Sequence, residues 1–365
     1  KASAHYSKQI VRSAEKRRFI MKKKLLSVVL TAVMAASVLT GCGSTDNGTA
    51  STAAAATGTA QSEAAATSAA STDGKVYNIG ICQLVEHEAL DAATQGFQDA
   101  LKEKLGDNVK FDLQNAQGEQ TTAATICNGF VSDGVDLILA NATSPLQSAA
   151  AATTSIPILG TSVTDSATAL EISDWSGATG RNISGTSDLA PIEEQEAMLK
   201  ELFPDVKQVG LLYCSAEANS LYQIQLFEAA LDKDGIAYKE YAIADTNEVQ
   251  SVTTAAAGEC DVLYIPTDNT LASVTETVYN VVAPAKVPVI AGEEGICNGC
   301  GVATLSISYY DLGYATGEMA YEILAEGADI TTMDVRYAPN VTKKYNAKIC
   351  EELGITVPDD YVAIQ

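Results

Sequence analysis

Short apolar runs alternate with amphipathic segments along most of the chain, and each run ends abruptly in polar residues. An apolar run of about four to eight residues bounded by turn signals fits a buried strand, and apolar positions at helical spacing between such runs fit crossover helices. The clearest run is Asp261-Val-Leu-Tyr-Ile-Pro-Thr-Asp-Asn269. Asp136-Leu-Ile-Leu-Ala-Asn-Ala-Thr-Ser144 does the same about 125 positions earlier. Each leads through a helical segment to a Pro-bearing strand, Ile156-Pro-Ile-Leu-Gly160 and Val287-Pro-Val-Ile-Ala-Gly292. Two halves with one plan predict two similar α/β lobes, each a doubly wound parallel sheet. Ligands of such sheets sit beyond the carboxyl ends of the strands, so the polar tips at 141–144 and 267–269 are expected to face one cleft.

In the first half, strands are predicted to begin at Val76, Val109, Asp136 and Ile156; in the second, at Gln208, Ala237, Asp261 and Val287. A further strand over 182–189 separates the halves. The plan stops after residue 302: a strand over 302–308 precedes a helix face of Leu312, Ala315, Met319 and Ile323, then an extended stretch over 335–345 and a helical one over 346–353. A tail of this kind can return to the first lobe and cross back. Crossings near 186–189, 303–306 and 335–338 would make a three-strand hinge, with lobe 1 over 76–188 plus 305–335 and lobe 2 over 189–304 plus 336–365.

The amino terminus sets the compartment. From Met21 the chain has three lysines, an apolar run from Leu25 to Leu39, and then Leu39-Thr-Gly-Cys42. That is a signal peptide over 21–41 rather than a membrane span, and its end resembles a bacterial lipobox, whose cysteine (Cys42) is lipidated. Residues 1–20 precede this start and are taken as read-through or otherwise non-native. Between 43 and 74, 23 of 32 positions are Ala, Ser or Thr, so the stretch from 42 to 75 is expected to be a tether that cannot offset its ordering entropy.

The whole chain carries 23 basic and 46 acidic residues; residues 1–41 hold nine of the former and one of the latter, leaving 14 against 45, or −31. A surface so negative excludes nucleic acid and anionic lipid headgroups as partners. Its simplest meaning is solubility.

The cleft exits supply the candidate chemistry. A zwitterion needs donors for its carboxylate and an acceptor for its ammonium group. Thr143 and Ser144 stand at a predicted helix start, where free N–H groups favour an anion, although simple capping explains them as well. Asp268, flanked by Thr267 and Asn269, is the expected ammonium partner; its alternative is a helix cap. Glu86 and His87 leave the first strand, and Glu217 and Asn219 hold the matching place in lobe 2. Gln117, Thr164, Ser187, Asp188 and Ser308 are further candidates, and Tyr309, Tyr310 and Tyr222 could stack on an aromatic ligand or serve the core. After Cys42 seven cysteines remain. Cys82, Cys127, Cys214 and Cys260 read as buried hydrophobes. Cys297 and Cys300 flank Asn-Gly, a turn dipeptide, which suggests a local disulfide ahead of a metal or redox motif.

Several phrases resemble one family. Ile81-Cys-Gln-Leu-Val-Glu-His-Glu-Ala-Leu-Asp91, Gln114-Asn-Ala-Gln-Gly118, Gly185-Thr-Ser-Asp-Leu189, Glu217-Ala-Asn-Ser220, Ile265-Pro-Thr-Asp-Asn269 and Tyr309-Tyr-Asp-Leu-Gly313 are similar to the ABC-transporter substrate-binding lipoproteins of the tryptophan/tyrosine type. The resemblance runs from about Lys75 to Ile355. It implies a type I periplasmic-binding-protein fold, closing on an amino acid-like ligand, often aromatic, and delivering it to a permease and ATPase. A monomer held to the membrane by its lipid, with no cofactor, no metal and no enzymatic activity, is the expectation. A ligand sensor for a separate receptor is the alternative, and an enzyme on the same scaffold a more distant one. The mature chain offers one histidine and no phosphate-cradling glycine motif for catalysis.

Overall fold

In the computed structural model, which describes residues 74–338 and 340–364, the apolar runs become the strands of two sheets. The expected upstream segment, signal peptide, Cys42 and almost all of the tether lie outside the described residues. No helix among the described residues is long and apolar enough to cross a membrane.

The first lobe contains β1 (Tyr77–Gln83), α1 (Glu88–Leu105), β2 (Val109–Asn115), α2 (Gln120–Asp133), β3 (Leu137–Asn141), α3 (Thr143–Ala152), β4 (Ile158–Thr161), the single turn α4 (Ser166–Ala169) and β5 (Ile183–Ser187). The second contains α5 (Ile192–Leu202), β6 (Gln208–Cys214), α6 (Ala218–Asp234), β7 (Ala237–Ile243), α7 (Val249–Glu259), β8 (Val262–Ile265), the short α8 (Asn269–Ala272), α9 (Thr275–Ala285), β9 (Val289–Ala291), α10 (Glu294–Cys300) and β10 (Ala303–Ser306). The tail adds α11 (Tyr309–Leu324), β11 (Arg336–Tyr337), β12 (Thr342–Tyr345), α12 (Ala347–Leu353) and β13 (Val362–Ala363).

Five strands of each lobe pair in parallel and in the same order, β2-β1-β3-β4-β5 and β7-β6-β8-β9-β10. The repeated plan thus holds down to strand order, and the architecture is the two-lobed α/β fold that the resemblance implied.

Helices cover both faces of such a sheet, which is why its strands read as continuous apolar runs. Leu137 and Leu139 of β3 pack on one side with Ile79, Phe97 and Leu101, while Ile138 and Ala140 pack on the other with Phe130 and Leu146. In β8, Val262 and Tyr264 face one core and Leu263 and Ile265 the other. Tyr264 stacks on Phe227 with ring centroids 3.7 Å apart. Burial of each large apolar side chain contributes about 1.5–3 kcal/mol, which fixes these strands rigidly behind their polar exits.

After β10 the chain returns to the first lobe. There α11 lies so close to α1 that a Cβ on Gly313 would fall 1.9 Å from the Ala93 carbonyl oxygen, an approach only glycine permits. β11 then joins the first sheet beside β5, and β12 runs antiparallel to β10 in the second. The chain passes between the sheets at 188–191, at 307–308 and again between β11 and β12. The divisions expected after residues 304 and 335 differ slightly from these points, because strand pairing keeps all of β10 with the second lobe and puts β11 in the first.

The turn predicted at Asn298-Gly299 does not form. Glu293 caps α10 by accepting from the Gly295 and Ile296 N–H groups, and Ile296, Cys297 and Cys300 turn into the core. Apolar burial along a capped helix outweighs the turn preference of the dipeptide. Both thiols are free, contrary to the expected disulfide, and all seven described cysteines are buried and unbridged.

Candidate functional site

A cavity of about 470 Å³ lies between the lobes, beyond the carboxyl ends of their strands. Strand order reverses at β1/β3 and again at β6/β8, and the exits of those strands form its walls. The first lobe contributes Leu84 and Val85 after β1, residues 117–120 after β2, and Thr143, Ser144 and Gln147 of α3. The second contributes Cys214 and residues 216–219 after β6, 244–246 after β7, and Asn269, Thr270 and Ser273 after β8.

Buried hydrogen bonds hold the first wall. Gln83 donates to Asp91 Oδ1 at 2.6 Å and accepts from Thr94, while Asn141 donates to the Leu90 carbonyl at 2.8 Å and to Thr94 at 3.0 Å. The ends of β1 and β3 are thereby tied to α1. Three of the five non-glycine residues with positive φ among the described residues follow β2, β3 and β4 of this lobe: Gln117 (56°), Ala142 (101°) and Ser162 (55°). Each such residue costs of order 1–3 kcal/mol and persists only where its surroundings demand it, a pattern that gathers at ligand sites.

The two walls differ in polarity. Ala142 precedes α3 and has no side chain to cap it, and the third helical residue, Pro145, has no N–H. The Thr143 and Ser144 N–H groups at the positive end of the helix are therefore uncapped, and the buried Ser144 Oγ has no partner. The equivalent start of α8 is closed by the lobe's own carboxylates. Asp268 accepts from Leu271 N–H at 2.9 Å; Glu217 accepts from the Asn269 and Thr270 N–H groups at 3.1 and 2.8 Å and from the Asn269 and Thr270 side chains at 2.6 and 2.7 Å. The charged side chains lining the cavity are Glu119, Glu217 and Asp245, with no lysine or arginine among the lining residues. A zwitterion suits these walls with its carboxylate toward α3 and its ammonium toward Glu217.

Of the residues predicted from the sequence, Gln117, Thr143, Ser144, Glu217, Asn219 and Asn269 meet around the cavity; the others do not line it. Asp268, expected to hold the ammonium, is structural: it is buried, and it also accepts from Cys214 N–H at 2.6 Å and Ser220 Oγ at 2.8 Å. Burial, reinforced by the Glu217 charge, pushes its carboxyl up to about 8. Thr267 lies behind the wall, its N–H donating to Gln223 at 3.1 Å. Glu86 is exposed and Ser308 caps α11. Ser187 donates to the Thr164 carbonyl at 2.8 Å. Tyr309 and Asp188 form a buried pair at 2.9 Å beside the hinge, where burial raises the Asp188 carboxyl above its usual range. No aromatic side chain lines the cavity, so the expected stacking partners are absent: Tyr222 is buried elsewhere and Tyr310 is exposed on α11. Sequence reasoning missed Val85, Gln147, Thr270 and the whole β7 exit; the residues just past each strand end were the available signal.

The lobes also touch directly. His87 Nε2 lies 3.3 Å from Asn269 Oδ1, Gln223 donates to Thr164 Oγ1 at 3.5 Å, and Asn298 donates to Glu88 at 3.3 Å.

Residues 78–364 match the family model described as ABC transporter substrate binding protein. The chain is 38% identical over 324 residues to a tyrosine-binding protein of Clostridioides difficile (strain R20291), covering 86% of this chain and 89% of that one. Among solved structures, the ABC domain in complex with L-Trp from Streptococcus pneumonia is 35% identical, with TM-score 0.75 over 78% of this chain and 97% of the other. The ligand-free, open structure of a substrate-binding protein with adhesive properties from Clostridium difficile is 38% identical, with TM-score 0.62 over 80% and 100%.

Proposed function

Because the chain belongs to the family of ABC transporter substrate-binding proteins, we propose that it captures an amino acid, aromatic by preference, between its lobes and hands it to a permease and its ATPase. The polarity of the cleft carries this reading: an uncapped helix start faces a wall whose charged groups, Glu217 and Asp245, are both carboxylates. Carboxylate and ammonium of one ligand would bridge the lobes, and that bridge would shift the population from open to closed about the three-strand hinge. The relatives that bind tyrosine and L-Trp favour an aromatic side chain. With no cation lining the cavity, acidic amino acids would leave their second carboxylate unpaired and are expected to be excluded. Lipidation at Cys42 would hold the protein, as a monomer, on the outer face of the membrane, with the Ala/Ser/Thr-rich stretch as its tether.

Thermal unfolding against a panel of amino acids tests this. L-tyrosine or L-tryptophan at 100 times its Kd is expected to add about 2.7 kcal/mol, while glutamate and aspartate leave the transition unmoved. A transition that no amino acid shifts would overturn the proposal.

A further inference from the structure

Three buried polar atoms without a hydrogen-bond partner follow three neighbouring strands of the first lobe: Ser144 Oγ after β3, Ser162 Oγ after β4 and Asp188 Oδ1 after β5. Asn141 pairs with Thr161 and Gly160 with Gly185, so the three strands end within one residue of one another. Parallel neighbours lie about 4.8 Å apart, and the row from the β3 exit to the β5 exit spans roughly 10 Å. Ser162 is 6% and Asp188 3% exposed. Buried polar atoms are seldom left unpaired, and this row stands at the carboxyl ends of a parallel sheet, where such sheets take their ligands.

The row starts in the cavity and runs toward the hinge. Ser144 lines the cavity, beside the uncapped N–H groups of α3. At the other end Asp188 accepts from the Tyr309 hydroxyl through Oδ2 at 2.9 Å, while Oδ1 meets no donor. A serine hydroxyl can give or accept, but a carboxylate oxygen only accepts, so this end of the row asks for a donor. The second lobe covers it: Gln223 of α6 donates at 3.5 Å to Thr164, which stands beside the Asp188 carboxyl.

We propose that this hinge-side row receives the side chain of the ligand, and that Asp188 is a specificity-determining residue accepting from a phenol O–H or an indole N–H at the ring's far end. With its carboxylate at the start of α3, an aromatic amino acid laid along the row passes Ser162 and brings the edge of its ring to Asp188. This rests on the proposed function and narrows its ligand class to aromatic amino acids that carry a donor on the ring. Phenylalanine would set a C–H edge against Asp188 Oδ1 and leave that oxygen unpaired, which a site built for a donor penalises.

Calorimetric titration of the wild type with two matched pairs tests this: L-tyrosine against L-phenylalanine, and L-tryptophan against 3-benzothienyl-L-alanine, in which sulfur replaces the indole N–H. In at least one pair the donor-bearing member is expected to bind at least about tenfold more tightly. Asp188→Asn keeps the shape of the side chain and an oxygen for Tyr309, but turns an N–H2 group toward the ligand. It is expected to narrow that ratio at least about fivefold, through loss of affinity for the donor-bearing member. A purely structural Asp188 would weaken both members alike, so an unchanged ratio in the variant overturns the assignment. A wild-type ratio below tenfold in both pairs overturns it without recourse to the variant, and decides the matter if Asp188→Asn does not fold. Tight binding of phenylalanine thus sinks the subsite alone, whereas binding of none of the four sinks the proposed function and the subsite with it.

Discussion

Replacing Asp268 by alanine is expected to destabilise the second lobe by about 3 kcal/mol or more. The carboxylate accepts from Cys214 N–H, Ser220 Oγ and Leu271 N–H in a site that is 1% exposed. Each buried donor left without an acceptor costs about 1–3 kcal/mol, and the lost helix cap adds roughly 1 kcal/mol. Relief of burying a carboxylate beside Glu217 returns part of this, so the net loss falls short of the sum. Denaturant unfolding monitored on the second lobe measures it. Unchanged stability with collapsed ligand affinity would restore Asp268 as the ammonium partner.

Ser144→Asp is expected to weaken amino acid binding at least 100-fold, about 2.7 kcal/mol, with the fold intact. The substituted carboxylate would sit at the second position of α3, beside the N–H groups that no side chain caps. It would satisfy the positive end of the helix permanently and repel the ligand carboxylate from the same place. Ser144→Ala, which removes only the unpartnered hydroxyl, is expected to lose far less. Calorimetry on the two variants separates charge from hydroxyl; equal affinities for Ser144→Asp and the wild type would mean that the carboxylate binds elsewhere.

Much of the fold was legible because parallel strands buried on both faces leave long apolar runs. The matching runs at Asp136 and Asp261 became β3 and β8, at the same position in two sheets of one order. The polar residues ending those runs marked the cleft, and Thr143, Ser144 and Asn269 do line it. What was hidden depended on neighbours distant in sequence. Asp268 and Glu217 lie 51 positions apart, and only packing of β6 beside β8 shows that one carboxylate is sealed beneath the wall while the other forms its surface. The turn expected at Asn298-Gly299 likewise yielded to the burial of Ile296, Cys297 and Cys300 on a capped helix. The strand from Ala237 was legible, but its exit at 244–246 was not counted among the cleft residues, although it lines the cavity.

Small-angle X-ray scattering of the ligand-stripped protein, titrated with L-tyrosine and L-tryptophan, tests most directly whether the lobes close on a bound amino acid. The expected result is a saturable fall in radius of gyration with at least one of them, absent with glutamate. A scattering profile that neither amino acid alters at saturating concentration would contradict closure on an aromatic guest.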